Sequence, residues 1–206
     1  MIEASDPESL NGYLSTDARH RLSDWVWGLS RWGKRPLVLA AFAVAEPALL
    51  SWKQGVPQDE KWQRVFARAT IAEHAFAALK DWLHHPSEHT ERALTTHHAR
   101  LREHVAAAAR AAEESSGSRS VCERRNRCAG AGRVILAALD AALWNATAAT
   151  DGLTDEAERQ AIESTGPALE TWTAVREYLA CTPGTAESAL RQVIRDAMLA
   201  PPPAPT

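Results

Sequence analysis

The chain has little with which to build a sheet, a disulfide framework or a zinc knuckle. No segment of any length alternates polar with apolar residues, and tyrosine and phenylalanine number only two and three in 206 residues. Strands are therefore not expected. Cysteine occurs three times, at Cys122, Cys128 and Cys181, too few and too oddly numbered for a disulfide framework, and no CxxC pair offers zinc a site. The net charge of −3 exerts no global pull toward nucleic acid or an anionic membrane. The longest apolar run, "PLVLAAFAVAEPALL", spans about fifteen residues and is interrupted by Glu46 and Pro47. A bilayer span needs about twenty, so a buried helix is the expected reading. The start, "MIEASDPESLNGYL", lacks the basic opening and apolar core of a signal peptide. A cytoplasmic protein is expected. Abundant alanine, and arginine far in excess of lysine, point to a GC-rich bacterial genome.

What is present is helix. "STDARHRLSDWVWGLSRWGKRP" predicts a helix capped by Ser15 or Thr16 and ended by Gly33, with Leu22, Trp25, Leu29 and Trp32 on one stripe. A second starts at Pro36 and runs to about Trp52, with a kink expected at Pro47. The third, beginning after Pro57, has Trp62, Phe66, Ala69, Ala72, Phe76, Leu79 and Leu83 at three- and four-residue spacing. A fourth covers Glu88 to Glu114 with a narrow alanine-rich stripe. "SVCE" (Ser120 to Glu123) has the form of a capping box before a fifth helix that is apolar nearly all round. A sixth starts near "DGLTDE" and is expected to break at "STGP", Ser164 to Pro167; a last helix follows "CTPGTAES". The pattern predicts an all-α fold: one domain over residues 1–200 with six to eight helices, as an antiparallel bundle or stacked hairpins. A proline-rich tail, 201–206, follows.

Five of the eight histidines fall in "LHHPSEHTERALTTHH", Leu83 to His98. Helical metal sites place ligands three or four residues apart on one continuous helix. His85 and His89 have that spacing, but Pro86 and Ser87 lie between them, and adjacent His97 and His98 point about 100° apart. There is no HExxH and no Glu-x-x-His pair. The stretch reads instead as two helix ends back to back. His84 and His85 complement a C-terminus, Ser87 caps the next helix, and Glu88 and Glu91 occupy its first turn. No metal or other cofactor is expected. A metal-dependent helical-bundle enzyme and an HEPN-type ribonuclease stay as alternatives. For the latter, Arg68 with His74, and Arg92 with His97 or His98, match the arginine-to-histidine spacing, although a chain this rich in both residues gives about two such matches by chance. The basic run Arg119 to Arg133 lacks aromatics for stacking bases, so it reads as a solvated helix end. The cysteines have no histidine or acid at a spacing that supports a nucleophile, and read as structural.

Eight tryptophans cannot all share the centre of one core, although large rings suit the gaps between alanine-rich helices. Trp27 lies off the Trp25–Trp32 stripe. Trp52 stands near a helix end beside "KQGVPQDEKW", which also holds Asp59 and Glu60. These four, Trp27, Trp52, Asp59 and Glu60, are the candidate partner-binding residues.

The stretch "LAAFAVAEPALLSWKQGVPQDEKWQRVFARATIAEHAFAALKDWL" resembles the helical immunity proteins of bacterial polymorphic toxin systems, through Ala45, Glu46, Leu49, Leu50, Pro57, Asp59 and Trp82. "EHVAAAARAAEE" and "AGAGRVILAALDAALW" are similar to that family's later helices, so the likeness spans roughly residues 37–146. Val44 stands where the family commonly has cysteine, and Glu60-Lys61 where it has arginine-proline. The resemblance implies a non-catalytic protein that binds and neutralises a cognate toxin, with a protein partner rather than a membrane or nucleic acid. A helical adaptor or regulatory partner is the alternative within the same class.

Overall fold

The computed structural model describes residues 7–15, 21–55, 70–114, 118–145 and 155–200. Among these residues there are eight α-helices and no strand. They are α1 (Pro7–Ser15), α2 (Leu22–Gly28), α3 (Lys34–Gly55), α4 (Thr70–His84), α5 (Glu88–Glu113), α6 (Arg119–Leu143), α7 (Glu156–Cys181) and α8 (Glu187–Leu199). A 3₁₀ turn, Leu29–Trp32, continues α2. The chain is an all-α helical bundle. Asp59, Glu60, Trp62, Arg68 and the 201–206 tail lie outside the described residues.

The sequence dictates which helices take the centre. In α3 and in α6 from Cys128 onward, small and aliphatic residues occur on nearly every face, so these stretches have little polar surface to give to water. Val38, Ala41, Ala45, Ala48 and Trp52 make a buried stripe on α3. It packs chiefly on α6, which is flanked in turn by α7 and α5. α4 packs on α5 and α3, and α8 on α3. Buried residues of all eight helices join one hydrophobic cluster.

Gly33 ends the α2 segment as expected, with φ of 85°, a conformation that glycine adopts without steric cost. The α4–α5 connection is also the predicted one. Ser87 caps α5, its Oγ accepting from the Thr90 N–H at 3.2 Å while Thr90 Oγ1 accepts from the Ser87 N–H at 3.0 Å.

Four expectations are corrected. The first helix does not open at Ser15. Ser15 ends α1, a helix not expected from the sequence, and α2 begins at Leu22 with Arg21 as its N-cap. α1 is anchored by its own Tyr13, whose hydroxyl donates to the Trp25 carbonyl at 2.8 Å and whose ring lies 4.7 Å from that of Trp32. Second, "SVCE" forms no capping box. α6 begins earlier, at Arg119, and Glu123 pairs with Arg119 one turn back at 2.9 Å. Third, "STGP" does not break α7, which runs on through Pro167. The lost helical donor is offset by tertiary packing, with Pro167 buried and the Thr171 hydroxyl bonding both the Pro167 and Leu37 carbonyls, at 2.8 and 3.0 Å.

The fourth concerns Trp52. It is 1% exposed and belongs to the core, not to a partner surface. Its ring lies over Gly132 of α6, where a β-carbon would stand 2.6 Å from Cζ3. Counting back by helical steps from Trp52 gives Ala48, Ala45, Ala41 and Val38, all fully buried. Proximity to the helix end had suggested an edge; the face it shares decides its burial.

Candidate functional site

Packing one stripe of α3 against α6 and α7 leaves the opposite stripe, Arg35, Leu39, Phe42 and Glu46, to be covered by something else. α4 approaches it from one side and the end of α8 from the other, and they do not close over it. The result is a groove of about 510 Å³ between the three helices. Its floor is apolar. Phe42 stacks on Phe76 of α4 with ring centroids 4.4 Å apart, and Leu39, Leu83 and Met198 extend the surface. Arg35, Lys80 and His84 gather at one end, and Glu46 stands farther along α3. The Arg35 guanidinium donates to the Leu83 carbonyl at 3.2 Å, satisfying a terminal acceptor of α4.

A second, larger depression of about 960 Å³ lies where α5 and α7 end beside α6. Its charges balance, Arg127 and Arg133 against Glu113 and Glu123. Arg133 is held by Glu177 at 2.7 Å. Arg119 and Arg125 are likewise occupied, by Glu123 and by the Ala111 carbonyl. Much of the basic run is thus spent on helix ends and neighbouring carboxylates.

The folded chain scatters the histidine cluster. His84 and His85 stay at the end of α4 with rings 6.3 Å apart. His97 meets His74 across the α4–α5 seam, ring centroids 6.1 Å apart; burial first, then His74 and Arg100, push its pKa down. His98 turns inward and is 8% exposed, its Nε2 2.7 Å from Asp140 Oδ1 on α6. Arg102 lies 4.0 Å from the same oxygen. Burial, reinforced by Asp140, raises the pKa of Glu170 on the adjoining α7. Among the described residues, no three histidines, cysteines or acids are grouped to hold a metal ion. Arg92 pairs with Glu88 on the outer face of α5 and meets neither His97 nor His98, so that arginine–histidine spacing does not form a shared site.

The burial of His98, weighed from the sequence only as a ribonuclease candidate beside Arg92, was not foreseen, although its signal was present. It lies four residues after Leu94 and three before Leu101, in register with the buried stripe of α5.

No protein-family model, curated protein or solved structure matches this chain.

Of the other candidate partner residues, only Trp27 lies among the described residues. It is half-buried against the core and does not line the groove. Asp59 and Glu60 lie outside the described residues. Of the resemblance positions, Glu46 stands on the groove rim and Leu50, one turn on, is 59% exposed. Trp82 is half-buried and faces Lys34, whose Nζ lies 5.3 Å from the indole centroid and donates to the Trp144 carbonyl at 2.9 Å.

All three cysteines are free thiols. Burial pushes the Cys128 thiol up to about 12, and its Sγ lies 3.6 Å from the Trp52 carbonyl. Burial also raises the pKa of Cys181. A thiol must ionise to attack. Iodoacetamide at pH 8 is therefore expected to modify half-buried Cys122 first and to leave Cys128 untouched until the chain unfolds. Mass spectrometry of native and urea-treated protein checks this; equal labelling of Cys122 and Cys128 in the native state would contradict it.

Proposed function

We propose that this chain is a non-catalytic, cytoplasmic protein-binding module of the immunity type, which neutralises a cognate bacterial toxin by occupying part of its surface. The apolar-floored groove between α3, α4 and α8 carries the reading. An uncovered apolar surface with a charged rim suits a protein ligand better than it suits the interior of a monomer. The resemblance to helical immunity proteins supports it, because Glu46 from that stretch stands on the rim. The buried thiols, and the tie of His98 to Asp140, are consistent with a structural role for those groups.

The test uses the full-length chain. Affinity purification from the native cell should recover a protein that is toxic when expressed alone, and co-expression of the chain should restore growth. Phe42→Glu, with its helical circular dichroism intact, should abolish both capture and rescue. A captured partner that is not toxic would favour an adaptor, while capture unaffected by Phe42→Glu would remove the groove from the reading.

A further inference from the structure

We infer that the groove selects an acidic amphipathic helix, an inference that rests on the groove being the partner site. There is no strand edge among the described residues to which an extended peptide could add. The groove is built in helical steps: 35, 39, 42 and 46 on α3, and 76, 80 and 83 on α4. From Arg35 to Glu46 is about 16 Å along the helix axis, which accommodates about three turns of a bound helix. Such a helix would lay residues at i, i+3, i+4 and i+7 on the floor of Leu39, Phe42, Phe76 and Met198.

The rim fixes the charge of the occupant. Among the described residues the rim brings the cations Arg35 and Lys80 and the imidazole of His84 against one carboxylate, Glu46. Arg35 already serves the end of α4, whereas Lys80 makes no ion pair among the described residues. Carboxylates flanking the apolar stripe of a ligand would meet Lys80 and Arg35 at one end of the groove, and a lysine-rich helix would meet repulsion there. Rim charges of this kind act chiefly on specificity and association rate.

A display library of helical peptides with fixed apolar i, i+3, i+4 and i+7 positions and randomised flanks would be selected against the full chain. Enriched peptides should carry an excess of Asp and Glu beside the apolar stripe. Lys80→Glu should remove that excess, and Phe42→Glu should reduce enrichment by at least about tenfold. Should Phe42→Glu fail to fold, Met198→Glu on the last turn of α8 reads the same surface. Neutral or basic winners, no enrichment, or an acidic bias that survives Lys80→Glu would each overturn the inference. So would enrichment that appears only after removal of residues 201–206, which would make the chain's own tail the occupant. A dimer seen by light scattering and dissociated by Phe42→Glu would install a second copy there instead, also against the inference. If Phe42→Glu abolishes capture of the native partner while the selected peptides are not acidic, the groove stands and only its charge preference falls.

Discussion

Trp52→Ala is expected to lower the unfolding free energy by about 3–5 kcal/mol, a large part of the roughly 5–15 kcal/mol that holds a typical domain together. The indole fills the space between the end of α3 and the middle of α6. Opposite it stands Gly132, which has no side chain to swing into a void, with Val105 of α5 beside it. Ala131, next to Gly132 on α6, is small and fully buried, so the backbone itself would have to shift for the cavity to collapse. A site that relaxes poorly belongs at the upper end of the range for large-to-small substitutions. Urea denaturation followed by circular dichroism measures the loss. A partner-surface tryptophan would give the opposite pair of results: unchanged stability and weaker partner binding.

Trp52 also shows where sequence reading reaches and where it stops. The helical periods around it were legible because burial repeats every three or four residues, and the hairpin turn at Ser87 was legible because capping is local chemistry. The all-α fold follows from such local signals. Whether Trp52 faces in or out depends on which stripe of an almost wholly apolar helix meets its neighbour, and α3 offers several. The failed break at Pro167 has the same origin, since local rules count a lost hydrogen bond but not the packing of Thr171 and Gly166 against other helices. The groove was illegible for a related reason. Leu39 and Phe42 read as part of a buried helix, and only the placement of α4 and α8 leaves them half-buried beside the buried Phe76. His98 differs, because its register with Leu94 and Leu101 marked it as buried without naming Asp140 as its partner.

Gly166→Ala should show how tightly that tertiary packing is set. Within a helix, glycine to alanine ordinarily stabilises by about 1 kcal/mol, since alanine loses less backbone freedom on folding. At position 166 the sign is expected to reverse. The ring of Trp144 covers Gly166 so closely that an added β-carbon would fall inside the van der Waals envelope of Cδ2, Cε2 and Cζ2. Overpacking of this kind costs about 1–3 kcal/mol, enough to outweigh the helical gain. The ring is held by packing, because its buried indole N–H has no hydrogen-bond partner among the described residues. Trp144→Ala therefore removes the obstruction without orphaning an acceptor, at the cost of its own buried surface. In that background Gly166→Ala should become neutral or stabilising, so the two substitutions combine to a smaller loss than their sum. Equilibrium denaturation of the wild type, both single variants and the double variant measures this coupling. Strict additivity would mean that Trp144 does not pack on Gly166 in solution.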